Sequence, residues 1–123
     1  MGTKKGILID VKNQTITEVE IDGSKTLKEM YRVIGCKMVE TVGIDPKNDL
    51  WVNEEGLLSL NKDTKAFRWN DSYLIGNGLV LGNNTKTGNS CDTTITVEEV
   101  KKLVHFLNDE EMDIFLDFLW DQY

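Results

Sequence analysis

Along Thr15-Ile16-Thr17-Glu18-Val19-Glu20-Ile21 polar and apolar residues alternate, the two-residue period of a strand with one wet face. Gly6 to Val11 is also β-rich, and Lys12-Asn13-Gln14 between the two suits a tight turn, so a β-hairpin is expected. Asp22-Gly23 ends it. Thr26 with Glu29 three residues later fits a capping box, and Leu27, Met30, Tyr31 and Ile34 fall on one helical face. That predicts a helix over 26–35 stopped by Gly35. Met38 to Ile44 reads as strand, Asp45-Pro46-Lys47-Asn48 as turn, and Leu50 to Asn53 as strand again. Glu54-Glu55-Gly56 is a second turn signal, with Leu57-Leu58 resuming the extended chain. Tyr73 to Leu81 is a further extended segment, interrupted by Gly76 and Gly78.

From Gly82 to Thr94 the residues are almost all Gly, Asn, Ser, Thr and Asp, which favour positive φ or bond their own backbone, so a long loop is expected. Two helices then close the chain. Thr96 with Glu99 caps the first, whose stripe is Val97, Val100, Leu103, Val104 and Leu107; Asn108 with Glu111 caps the second. The second is apolar over more than one stripe, through Met112, Ile114, Phe115, Leu116, Phe118, Leu119 and Trp120. Its extra flank calls for a neighbouring subunit, or for burial on two sides within one chain. The expected fold is α+β, a small antiparallel β core with one N-terminal helix and two C-terminal helices. It forms one domain over 1–123: a β-rich core over 1–94, and a helical pair over 95–123 used in packing and oligomerisation.

Composition leaves this picture standing. Hydrophobic residues are 40% and charged residues 28% of 123, the ordinary globular range. No apolar run is long enough for a membrane span, and Ile7-Leu8-Ile9 is too short for a signal-peptide core, so a cytosolic location is expected. A net charge of −7 argues against general DNA or RNA binding, which rests on Lys and Arg neutralising phosphates. The acids are uneven: Asp109, Glu110, Glu111, Asp113, Asp117 and Asp121 occupy the last fifteen residues without a base. They suit the wet face of a helix or a DNA-mimic surface. Cys36 and Cys91 read as plain buried thiols. His105, the one histidine, sits on the first C-terminal helix one position after Val104 and reads as a boundary histidine rather than a base. No hydrolytic triad, P-loop or metal-ligand spacing is present. The expectation is a binding protein with no catalytic residues, metal or cofactor.

Residue chemistry offers binding candidates. Phe67-Arg68-Trp69-Asn70 places a guanidinium between two aromatics, a combination suited to a nucleotide. In a strand, Phe67 and Trp69 would instead share a core face with Arg68 on the other. The candidates are Arg32 and Arg68 for phosphate, Trp69 and Phe67 for adenine stacking, and Asn77, Asn83 and Asn84 for base or ribose edges. Lys86 or Lys101 could share the anion.

Four segments carry a resemblance: Gly6-Ile7-Leu8-Ile9-Asp10-Val11, Thr17-Glu18-Val19-Glu20-Ile21, Asp49-Leu50-Trp51-Val52-Asn53-Glu54-Glu55-Gly56-Leu57-Leu58, and Ile75-Gly76-Asn77-Gly78-Leu79-Val80-Leu81-Gly82. In that order they resemble the DUF3846 family of small phage proteins. The C-terminal remainder of the chain, with Ser90-Cys91-Asp92 and the terminal helices, looks like the anti-Thoeris sponge branch of that family. The resemblance implies a phage immune-evasion protein in the cytoplasm of the infected bacterial host. Such proteins sequester, without cleaving it, the cyclic ADP-ribose isomer (gcADPR) made by TIR enzymes of Thoeris defence. Some also hold cyclic di- or trinucleotide signals of CBASS defence at a separate site. It further implies a homo-oligomer, a dimer or trimer of dimers, with pockets near subunit interfaces. The alternative is an acidic, DNA-mimicking inhibitor of a host defence enzyme, acting through the carboxylates of residues 109–121.

Overall fold

The computed structural model describes residues 2–122, so Met1 and Tyr123, the ends of the expected domain, lie outside the described residues. The expected hairpin is the start of the fold. β1 (Thr3–Asp10) pairs antiparallel with β2 (Thr15–Asp22) from Thr3 opposite Asp22 to Asp10 opposite Thr15. In the turn Gln14 takes φ 53°, and the Asp10 carboxylate accepts from the Asn13 backbone N–H and side-chain amide. Two more strands, β3 (Val39–Asp45) and β4 (Asn48–Asn53), come after α1 (Thr26–Ile34). Gly35 ends that helix as expected, at φ 79°, donating to the Tyr31 carbonyl.

The chain then leaves this sheet to begin another, with β5 (Ala66–Trp69) and β6 (Ser72–Ile75), and returns as β7 (Gly78–Asn83). β7 is the central strand of the first sheet, whose order is β2-β1-β7-β4-β3 with the short β8 (Ser90–Cys91) also paired to β7. Five consecutive β7 residues, Gly78 to Gly82, are buried, as suits a strand covered on both faces. The second sheet has the order β6-β5-β9, and every ladder is antiparallel.

Strand alternation sorts the core into layers. Ile7, Ile9, Leu50, Val52 and Val80 share one face of the first sheet and pack with Phe67 and Trp69 of the second sheet and Val100 of α2 (Val97–Leu103). Ile21, Leu79 and Leu81 face the other way and meet Met30 and Ile34 of α1. The outer side of the second sheet is covered by α3 (Asp109–Gln122), where Met112 meets Ala66 and Leu107. The order through the molecule is therefore α1, first sheet, second sheet with α2, α3.

Several expectations are corrected. The β structure is larger than a small core, with six strands in one sheet and three in the other. The first C-terminal helix stops at Leu103, and Val104–Phe106 is β9 rather than helix. Val104, His105 and Phe106 lie opposite Trp69, Arg68 and Phe67, so tertiary pairing satisfies the backbone and partly buries the two apolar side chains. Leu57-Leu58 lies in a 3₁₀ turn, Gly56–Ser59, rather than a resumed strand. Thr26 forms no capping box, because a 3₁₀ turn, Gly23–Lys25, precedes the helix. Asp22 caps that turn through Ser24, and Glu29 reaches back to the Asp22 N–H. The boxes at Thr96 and Asn108 form as expected. The long loop is shorter than 82–94, since β7 runs to Asn83 and β8 holds Ser90 and Cys91.

Candidate binding groove

The groove arises where β1 begins. β1 pairs with β7 only at Gly78 to Val80, and β8 pairs with β7 at Gly82 and Asn83. The two partners of β7 thus meet end to end. The Lys5 N–H donates to the Asp92 carboxylate at 2.8 Å, and the Thr93 N–H to the Lys5 carbonyl at 2.9 Å. Gly82 allows this crossing, because a Cβ there would collide with the Asp92 carbonyl. The hairpin loop that projects from β7 and β8 is closed by the Asn84 N–H on the Asn89 carbonyl at 2.9 Å and the Gly88 N–H on the Asn84 carbonyl at 2.7 Å. Gly88 sits at φ 76°, a backbone state natural to glycine.

This loop faces the start of α1 across Lys4. Between them lies a cavity of about 690 Å³ walled by Gly88, Asn89 and Ser90 on one side and by Ser24, Thr26, Leu27 and Met30 on the other, with Trp51 between. The size suits a nucleotide-scale ligand. Its lining contrasts with the net acidity of the chain: a lysine, three hydroxyls and an amide line it, and none of its lining residues is a carboxylate. The Lys4 ammonium donates to the Thr26 hydroxyl at 2.9 Å, which holds the charge at the cavity edge. Ser24 is oriented by Asp22, to which both its N–H and hydroxyl donate, and these bonds hold the Asp22 carboxyl below its ordinary range. Trp51 and Leu27 supply apolar surface. Two buried polar atoms on this face of the sheet have no hydrogen-bond partner among the described residues, the Trp51 indole Nε1 and the Asn83 Oδ1. Buried polar groups are normally paired.

The residues chosen from sequence fall in several places. Asn83 ends β7 opposite Ser90, and Asn84 and Lys86 belong to the loop that walls the groove. Asn84 Oδ1 accepts from the Lys86 and Thr87 N–H groups at 3.0 and 3.4 Å, so it shapes the loop, and Lys86 is exposed near its tip. Asn77 joins the end of β1 to α1: its Oδ1 accepts from the Val11 N–H at 3.0 Å, and its amide donates to the Val33 carbonyl at 3.5 Å. Phe67 and Trp69 are core side chains, 0% and 6% exposed, so neither offers a free ring face. Arg68 points the other way from β5, in a cross-strand row with Tyr73 and His105. Arg32 lies on the surface of α1, bound to Glu29 at 2.6 Å through Nε; that bond raises the guanidinium pKa and lowers that of Glu29. Lys101 pairs with Glu98 at 3.7 Å on α2. The two arginines and Lys101 are thus on separate surfaces, away from the groove. Lys4, Thr26 and Trp51 were missed as site residues, although strand alternation does put Lys4 and Trp51 on one face of the sheet.

A family model described as a domain of unknown function, DUF3846, matches residues 4–105. The chain belongs to the DUF3846 family. No curated protein and no solved structure shows a significant match. The matched span contains both sheets except Thr3 and Phe106 at their ends, α1, α2 and every residue of the groove, whereas α3 lies beyond it. Among the described residues no helix is long and apolar enough to cross a membrane, and no group of three or more His, Cys, Asp or Glu could hold a metal ion.

Proposed function

We infer that this DUF3846 protein captures a nucleotide-sized anionic signal in the groove between α1 and the β7–β8 loop. The ligand class proposed is the cyclic ADP-ribose isomers (gcADPR) made by TIR enzymes of Thoeris defence, held without cleavage as a phage countermeasure in the host cytoplasm. The observation that carries the reading is the groove's lining: a lysine, hydroxyls and an indole, with no carboxylate, in a chain of net charge −7. Phosphate oxygens would take the Lys4 ammonium and the Thr26 hydroxyl, and a base would lie on the indole and Leu27. No bond of the ligand need break. All the lining comes from one chain, so capture does not require a second copy; the homo-oligomer is a separate proposal that sedimentation tests.

A sponge acts by affinity, and nanomolar capture corresponds to about −12 kcal/mol. The test mixes the protein with a TIR-derived cyclic ADP-ribose isomer, measures loss of free ligand, then denatures the protein by heat and measures recovery. Intact recovery supports capture, and an altered product would make the protein an enzyme. No depletion would favour the protein-directed, DNA-mimicking inhibitor. Lys4→Glu should weaken capture by about tenfold or more, as expected for one charge-assisted hydrogen bond. Arg68→Ala should leave it unchanged; the reverse result would move the site to the outer face of the second sheet.

A further inference from the structure

The last helix leaves an apolar flank uncovered. α3 turns Met112 and Leu119 inward, while Ile114 and Phe118 stand 65% and 59% exposed. Glu111, Ile114, Phe115 and Phe118 recur at three- and four-residue spacing and so form one ridge. Tyr73 of β6 stacks on Phe115, with ring centroids 5.1 Å apart. A cavity of about 420 Å³ lies along this ridge. Past Tyr73 and Phe115 a smaller one of about 220 Å³ adjoins it and reaches Leu57, itself 46% exposed. Together they make an apolar groove between α3, β6 and the Gly56–Ser59 turn.

The charged side chains that line it are all acidic, while the Arg68 guanidinium of β5 is close enough to Glu111 to help lower its pKa. Glu111 lines one part, and Glu40 and Glu54 line the other. The other acids of α3 are Asp109, Glu110, Asp113, Asp117 and Asp121, and the helix contains no base. Only Asp109 and Glu111 of these are in ion pairs among the described residues, with Lys65 at 3.5 Å and His105 at 2.8 Å. A second copy seated here would set two such acid rows against each other, which opposes association. A basic segment would meet complementary charge.

We propose that this groove docks an amphipathic segment of another protein, one that carries large apolar side chains flanked by lysine or arginine. Helix-in-groove recognition has this form, with apolar anchors filling the groove and charge fixing orientation. The inference does not rest on nucleotide capture, because the α1 groove lies on the opposite face of the first sheet.

The test uses two synthetic amphipathic helices, one with leucine and tryptophan on one face and lysine on the other, and a twin with glutamate in place of lysine. The lysine peptide should bind the intact protein at least about tenfold more tightly than its twin, and added salt should weaken it. Phe118→Asp should reduce that binding by about tenfold or more with an unchanged circular dichroism spectrum. If that variant fails to fold, Ile114→Lys, which puts a charge that repels the peptide at an exposed position, should do the same. Equal affinity for both peptides, or no binding of the lysine peptide, overturns the proposal. So does a wild-type dimer that dissociates on either substitution, since a second copy would then occupy the groove.

Discussion

Asn48 is a buried polar side chain at the junction of the first sheet with residues 93 and 94, and removing it should be costly. The residue is 1% exposed. Its Oδ1 accepts from the Thr93 hydroxyl at 2.7 Å and the Thr94 N–H at 3.2 Å. Its amide donates to the Thr94 hydroxyl at 2.9 Å and to the Asp45 carboxylate at 3.2 Å. Asp45 is exposed and can turn to water, so its share is small. Thr93 is 5% exposed and cannot. Asn48→Ala leaves the Thr93 hydroxyl and the Thr94 N–H without their acceptor, at about 1–3 kcal/mol for each group that stays dry. A water entering the space left behind would recover part of this. The expected loss is therefore about 3 kcal/mol, a large fraction of the roughly 5–15 kcal/mol that holds a domain of this size.

Urea unfolding followed by tryptophan fluorescence measures it. With a slope of about 2 kcal/mol per molar, the midpoint should fall by about 1.5 M. The mechanism has its own check. If the cost is the orphaned Thr93 hydroxyl, Thr93→Val should cost about 1 kcal/mol less in the Asn48→Ala background than alone. The Ile95 N–H loses its acceptor in both, while the unpaired hydroxyl is removed only in the first. A loss below about 1 kcal/mol for Asn48→Ala, or simple additivity of the two substitutions, would refute this account of the junction.

Asn108→Ala should lower stability by about 1 kcal/mol in the same assay, because Asn108 Oδ1 accepts the Glu111 N–H at 2.8 Å as the N-cap of α3. The Glu111 carboxyl is held below its ordinary value of 4.5, first by the Asn108 N–H and then by His105. A folded pKa below the unfolded one adds stability that is full above that ordinary value and lost as pH falls through the folded pKa. An NMR titration should therefore show Glu111 protonating below 4.5, and His105→Ala should raise its pKa part of the way back while the Asn108 bond keeps the rest. Replacing Asp113, Asp117 and Asp121 together by Asn should change capture of the nucleotide by less than about twofold, against the tenfold loss expected for Lys4→Glu.

Local pattern disclosed most of the elements. The β1–β2 hairpin, α1 with its Gly35 stop and the capping boxes at Thr96 and Asn108 each depend on neighbours in sequence. Val104 to Leu107 deceived for a physical reason. The stripe Val97, Val100, Leu103, Val104 and Leu107 is apolar at helical spacing, yet Val104 and Phe106 flanking exposed His105 also fit a strand. Only the open edge of β5 decides between them. The groove was hidden for a stronger reason. Lys4, the Ser24–Met30 segment, Trp51 and the Gly88–Ser90 segment are far apart in the chain and meet only through the pairing of β1 and β4 with β7. No local spacing can report such a meeting. Phe67-Arg68-Trp69 shows the converse, since compact chemistry in the sequence is split by strand alternation between the core and the opposite face.

Net charge is the other place where a whole-chain number misleads. Of the 21 acids, six lie in residues 109–123 with no base among them, leaving 15 acids against the 14 bases of residues 1–108. The charge of −7 is thus almost entirely that of α3. That helix and the α1 groove lie on opposite sides of the first sheet, about two layer spacings or roughly 20 Å apart. Six unit charges at that distance would cost a bound anion about 1 kcal/mol in water and about 5 kcal/mol at an effective dielectric of 20. Screening over a Debye length of about 8 Å cuts either figure roughly tenfold. The residue of it, about 0.1–0.4 kcal/mol, is smaller than the roughly 1.5–3 kcal/mol of one charge-assisted hydrogen bond from Lys4. The acidity that argues against binding along a nucleic-acid backbone therefore says little about one small anion. The lining residues decide, and among them the chain has placed an ammonium and no carboxylate, with the neighbouring Asp22 carboxylate engaged by Ser24.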